Sequence, residues 1–183
     1  MTEQPDIIAL LQRALDQAGS LIASIAPEQR GLPTPCADWD VRTLVTHVVG
    51  GVDNFTVATR GGQPDWSAPH PALGDDWPAA FDANKAALLD AWSGADAAAL
   101  PRADQQITEL AVHSWDIACA VGQQAALDPQ IAEHALEWSS QALKPEFRGS
   151  AIGAEVPVRD DAPVYDRLAG WFGRDPAPWS ARG

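Results

Sequence analysis

Three side chains able to bind a metal or move a proton interrupt an otherwise apolar segment, "ITELAVHSWDIACAVG" at 107–122. Glu109, His113 and Asp116 stand at i, i+4 and i+7, which places them on one side of a helix. A glutamate and a histidine one turn apart can direct their donor atoms at a single ion. The same stripe is also expected on the solvated face of a surface helix, although it contains no lysine, arginine or glutamine.

A metal site needs a third ligand from another element, and His47 in "TLVTHVVGG" at 43–51 is the candidate. The alternative is a core histidine bonded to a neighbour. His70, in a proline-flanked loop, and His134, in a predicted surface turn, are poorer candidates. Two imidazoles and one carboxylate leave an open coordination position, as catalytic metal sites do. Asp116 then either orients an imidazole from behind or is a surface acid.

Three further residues near these motifs have structural interpretations. Cys36 lies in a proline-rich loop without an acid–base partner in the sequence, and Cys119 lies within the apolar helix. Both are predicted to be unpaired structural thiols. Trp39 precedes Asp40, the predicted N-cap of a helix, and is predicted to form a hydrophobic staple with Leu44.

Apolar periodicity and capping residues predict an all-α fold, a four-helix bundle with accessories. A long loop is predicted at 61–75, a linker at 93–104 ending in the N-cap Asp104, and a single domain over 1–183 whose tail, 145–183, is mostly irregular and packed on the bundle. The predicted helices span 5–26, about 40 to 60, 76–93, 105–121 and 129–143, with a short one near 162–172.

The composition excludes several classes of partner. Twelve basic and 25 acidic residues give a formal net charge of −13, which disfavours nucleic acid and anionic membrane surfaces. No apolar run approaches the roughly 18–20 residues that span a bilayer. The N-terminal "MTEQPD" lacks the features of a signal peptide, so a cytoplasmic location is expected.

Two motifs together resemble a known family. "LPTPCADWDVRTLVTHVVGG" followed by "ELAVHSWDIACAVG" is similar to the DinB/YfiT-like metalloprotein superfamily, and most similar to its actinobacterial branch, which includes mycothiol-dependent maleylpyruvate isomerase. The closing "VPVRDDAPVYDRLAGWFGRDPAPW" resembles the tail of small members of that branch. The resemblance implies a DinB-like four-helix bundle that binds a divalent metal, zinc or nickel, through His47, Glu109 and His113.

The resemblance also implies a function. Members of the superfamily use low-molecular-weight thiols, and a thiol at the open position would become a metal-bound thiolate that attacks an electrophilic carbon. The chain is therefore expected to be a metal-dependent transferase or isomerase with mycothiol as cosubstrate, a small electrophile as substrate, and a monomeric or homodimeric state. A non-catalytic metal- or ligand-binding protein and a metal-dependent hydrolase are the alternatives. Arg102, Arg148 and Arg159 are the available cations for a thiol's carboxylate, but the sequence assigns no catalytic or thiol-binding residue.

Overall fold

The computed structural model describes residues 6–36, 38–149 and 152–180. Within these ranges the chain forms seven α-helices and no β-strand, which confirms the all-α prediction. None of these helices combines the length and apolarity needed to cross a bilayer. The helices are α1 (Ile7–Ser24), α2 (Val41–Thr59), α3 (Trp77–Ser93), α4 (Pro101–Val121), α5 (Pro129–Ala142), α6 (Val164–Trp171) and α7 (Ala177–Ser180).

Aspartate side chains begin four of these helices. Each accepts a hydrogen bond from a backbone N–H of the first turn, where the helix itself offers no partner. The four caps are Asp6 for α1, Asp40 for α2, Asp76 for α3 and Asp128 for α5. The prediction that Asp104 caps α4 was wrong. Helix α4 begins at Pro101, where the missing proline N–H costs nothing, and this start leaves Asp104 inside its first turn.

Helices α1 to α4 form the four-helix bundle. Helix α1 packs against α3 and α4, and α2 packs against the same two helices, so the four surround one core. Leu11, Leu44, Phe81 and Ile107, one from each helix, are fully buried there. Helix α5 lies outside the bundle against α4, and α6 packs on α5.

Helix α4 contacts α1, α2, α5 and α6 and is therefore enclosed on most sides. From Gln106 to Cys119 every residue is buried except Glu109, which is partly exposed. His113 is 7% exposed and Asp116 is 0% exposed. The polar stripe on α4 is therefore not a solvated helix face.

After α5, helices α6 and α7 pack against α4, and α6 also packs against α5. Arg148 donates hydrogen bonds to the carbonyls of Gly153 and Trp171, which ties the irregular chain to α6. Gly173 has φ +83°, and a Cβ there would lie 2.8 Å from the Cα of Gly153, so only glycine fits this crossing. The next residue, Arg174, reaches α4.

A buried hydrogen-bonded chain joins three helices at the start of α4. The indole N–H of Trp92 donates to Oε1 of Gln106 at 3.0 Å, and Nε2 of Gln106 donates to Oγ1 of Thr59 at 3.1 Å. Gln106 is 0% exposed, so no water can replace it.

Replacing Gln106 with leucine should lower the free energy of unfolding by about 1–3 kcal/mol, because the buried Trp92 N–H loses its acceptor. Urea denaturation measures this change. Gln105→Leu, at the exposed neighbouring position, is the control and should change the free energy by less than about 0.5 kcal/mol. Equal effects of the two substitutions would contradict the prediction.

Candidate metal centre

Helix α2 supplies the first ligand. The Asp40 side chain accepts a hydrogen bond from Thr43 N at 2.8 Å and fixes the start of the helix. Leu44, one turn later, and Val48, two turns later, are buried in the core, and His47 between them is partly exposed beside α4. The imidazole of His47 lies 4.9 Å from that of His113, centroid to centroid, with the rings at 77°.

Helix α4 supplies the other two ligands from adjacent turns. Nε2 of His113 lies 3.4 Å from Oε2 of Glu109. The side chain of His113 is 9% exposed and that of Glu109 is 43% exposed. The carboxylate therefore faces the solvent side of the cluster and the imidazole faces its buried side.

The structure brings together the three residues predicted to bind metal. One ligand atom from each of His47, Glu109 and His113 lies within 4.8 Å of the other two. Ligands about 2.0–2.2 Å from a tetrahedral zinc ion stand roughly 3.5 Å apart, so the 3.4 Å contact between Glu109 and His113 has the spacing of one edge of such a site. Two nitrogen donors and one carboxylate also suit zinc or nickel. The residues fit a divalent ion, and metal binding itself stays a prediction.

Asp116 lies behind His113 and is buried. Its Oδ2 is 3.1 Å from Nδ1 of His113, so Asp116 accepts the proton on Nδ1, and Nε2 is the nitrogen on the side of Glu109. Arg174 faces the same carboxylate, with Nη2 3.1 Å from Oδ2 and Nε 3.4 Å from Oδ1. The interpretation of Asp116 as a surface acid was wrong, and its contact is that of a residue that orients a ligand.

A second cluster, Cys36, His113 and Asp116, also has metal-compatible spacing. Arg174 lies within it, with Nη2 3.7 Å from Sγ of Cys36. A metal cation there would stand beside a buried guanidinium. Burial, reinforced by Asp116, raises the pKa of the Cys36 thiol to about 11, so the thiolate that a metal requires is scarce at neutral pH. Cys36 and Cys119 are both free thiols, as predicted.

The two histidines have opposite protonation preferences before any metal binds. Burial, together with the nearby His113, lowers the pKa of His47 to about 4. Burial also opposes charge on His113, but its hydrogen bonds to Asp116 and Glu109 outweigh that effect and raise its pKa to about 9. At neutral pH His47 is therefore ready to bind a cation, whereas His113 must first lose a proton.

A cavity of about 100 Å³ adjoins the three ligands. Side chains from α2, α4 and the loop at 61–75 form its walls. The described residues that line it are His47, Val48, Gly51, Val52, Asn54, Phe55, Trp66, His70, Gln105, Glu109, Leu110 and His113.

Several residues near the site were not predicted from sequence. His70, predicted to be a poor candidate, lies with its ring 5.6 Å from that of His47 and lines the cavity. Arg174 was missed because no spacing rule connects it to α4. Trp39 packs with its ring 4.9 Å from His47 and 6.2 Å from His113, and its staple role stays a prediction.

The remaining sequence candidates lie elsewhere. The prediction that His134 lies in a surface turn was wrong, since His134 is part of helix α5. Its Nε2 lies 2.8 Å from Oδ1 of Asp104 on α4. Arg148 is bonded to backbone carbonyls, Arg159 pairs with Asp161, and Arg102 lines a different pocket at the start of α4. None of these arginines lines the cavity beside the metal ligands.

Residues 11–118 match the model of a family described as the mycothiol maleylpyruvate isomerase N-terminal domain. The chain belongs to this family. Curated relatives include an uncharacterized protein recorded from two strains of Mycobacterium tuberculosis, 32% identical over 177 residues that span 89% of this chain and 94% of the relative. No solved structure gives a significant match.

The matched range of the mycothiol maleylpyruvate isomerase N-terminal domain family contains α2 and most of α4. It therefore includes all three candidate ligands and Asp116. Arg174, which holds Asp116 from the tail, lies outside the matched range.

Replacing Asp116 with asparagine should weaken zinc binding about 10–100-fold, because an uncharged acceptor holds the His113 tautomer less firmly. Competition with a chromophoric chelator measures the affinity. Asp104→Asn is the matched control, since Asp104 pairs with His134 away from the site, and it should bind zinc like the wild type. If the Asp116→Asn variant binds zinc with wild-type affinity, Asp116 does not orient His113 for metal binding.

Zinc binding at pH 7 should release about one proton from His113, because its pKa of about 9 keeps it protonated in the metal-free protein. The release should diminish as the pH rises through 9, and the apparent affinity should increase with pH below 9 and level off above it. Calorimetry in buffers of different ionisation enthalpy counts the protons. Binding at pH 7 without proton release would show that the metal does not displace a proton from His113.

Proposed function

We propose that this chain is a divalent-metal-dependent enzyme that uses mycothiol as cosubstrate and acts as a transferase or isomerase on a small electrophile. The observation that carries the proposal is the convergence of His47, Glu109 and His113 at the wall of a cavity. Three protein ligands leave a coordination position for a further molecule. The family's name associates its members with mycothiol.

A divalent cation at this position would lower the pKa of a thiol so that the thiolate predominates at neutral pH. The chain's own residues determine where the cation is held. His47 and His113 would bind it through ring nitrogens, and Asp116 would hold the proton on Nδ1 of His113. Glu109 would add one negative charge, and the site would keep a net positive charge that favours an anionic sulfur.

In a transfer reaction the thiol sulfur forms a bond to the electrophilic carbon. The leaving group departs with its electron pair, and the thiol proton passes to solvent. In an isomerisation the same sulfur adds to one end of a double bond and leaves after rotation, so the thiol is regenerated. Both reactions need the electrophile to be held beside the sulfur, and the cavity next to the ligands provides that space.

The site does not use its own cysteines as the nucleophile. Burial, with Asp116 adding to it, raises the pKa of Cys36 to about 11. Neither Cys36 nor Cys119 is among the described residues that line the cavity. An external thiol is therefore the nucleophile that this arrangement suits best.

Purified wild-type protein should bind about one equivalent of divalent metal and accelerate the loss of free mycothiol in the presence of electrophiles. His47→Ala and His113→Ala should each lose metal and at least about 100-fold of the rate, because either change removes a ligand. Thiol titration and elemental analysis measure the two effects. His134→Ala is the matched control, since His134 lies on α5 outside the site, and it should retain both properties.

Two outcomes would contradict the proposal in different ways. Unchanged metal content in both ligand variants would show that the site assignment is wrong. Full metal content in the wild type without thiol consumption would favour a non-catalytic metal-binding protein, and hydrolysis without thiol would favour a metal-dependent hydrolase.

A further inference from the structure

We propose that the cavity beside the metal ligands binds an uncharged aromatic group, so that the electrophile is a small neutral aromatic compound. This inference rests on the proposed function, because it assumes that the substrate approaches the same three ligands.

Most of the cavity wall that is not formed by the ligands is apolar. Helix α2 contributes three side chains, α4 one, and the loop at 61–75 a tryptophan. Trp66 is 54% exposed although it is large and apolar, which is typical of a residue that contacts a ligand. These wall residues are Val48, Val52, Phe55, Leu110 and Trp66.

Among the described residues, the cavity offers no arginine or lysine to a negatively charged substrate group. The polar residues that line it outside the ligand cluster are Asn54, His70 and Gln105. Glu109, the acidic residue in the wall, belongs to the ligand cluster. A carboxylate placed against the apolar wall would lose its hydration without gaining an ion pair.

The dimensions limit the bound group to a single aromatic ring at most. The cavity measures about 100 Å³, which is less than the roughly 150 Å³ of an apolar protein cavity that binds benzene. The rings of Phe55 and Trp66 lie 5.4 Å apart at 57°, a tilted pair that offers both a face and an edge to a third ring.

The loop that carries Trp66 is held on α2 by a second contact. The imidazole of His70 lies directly over Gly50, where an added Cβ would be 2.2 Å from both Cγ and Nδ1 of the ring. A side chain at position 50 would therefore displace His70 and the loop around it. The position of the loop that carries Trp66 therefore depends on Gly50, although Gly50 itself does not line the cavity.

Two chelators of the same metal test the inference without thiol or turnover. Benzohydroxamic acid and acetohydroxamic acid share the hydroxamate that binds the metal. The first carries a phenyl ring and the second a methyl group. Calorimetry on the zinc-loaded full chain should show benzohydroxamic acid binding at least about tenfold more tightly. The monohydroxamate of succinic acid, which adds a carboxylate, should bind no more tightly than acetohydroxamic acid.

Trp66→Ala should remove most of the advantage of benzohydroxamic acid, at least about fivefold, and leave acetohydroxamic acid within about twofold. Gly50→Ala should have the same effect by displacing the loop. Phe147→Ala, at an exposed aromatic residue outside the cavity, should change neither affinity.

Equal affinity for the aromatic and methyl probes would overturn the inference while leaving the proposed function intact. Tighter binding of the succinate derivative than of benzohydroxamic acid would overturn it as well. Failure of all three probes to bind the zinc-loaded protein would show that the metal has no open position, which would overturn the proposed function together with the inference.

Discussion

The ion pair between Asp116 and Arg174 is the interaction on which the site depends. A carboxylate with 0% exposure loses its hydration, and that loss is tolerable only when every oxygen has a partner. Arg174 and His113 supply those partners, and Arg174 itself donates to the carbonyl of Phe172. One buried negative charge therefore links the tail, α4 and the orientation of a candidate ligand.

The fold of the tail explains how Arg174 reaches Asp116. Arg174 reaches Asp116 because the chain turns at Gly173 with φ +83° and crosses Gly153 at close range. Arg148 fixes the same crossing through the carbonyls of Gly153 and Trp171. The tail thus completes the support of His113, although the three candidate ligands all come from the bundle.

The helices and the pairing of Glu109 with His113 could be predicted from sequence, because both depend on local spacing. Apolar periodicity and aspartate caps predicted the helices, whereas the choice of His47 as the third ligand depended on the resemblance to a metal-binding family. Arg174 could not be found this way, since it is 58 residues from Asp116 in an irregular segment. His70 was missed for a related reason: its position depends on the space above Gly50, which appears only when the loop packs on α2.

The site divides its two tasks between rigid and variable parts of the chain. The candidate ligands lie within long helices: α2 is fixed by its Asp40 cap and the core, and α4 by the helices that enclose it. Such rigid positions suit a metal site, which tolerates little displacement. The aromatic wall depends instead on Trp66, in a loop attached to α2 through His70 and Phe55. Loops accept substitutions more readily than bundle helices do. Substitutions at Trp66 are therefore expected to alter the cavity wall while the helices keep the candidate ligands in place.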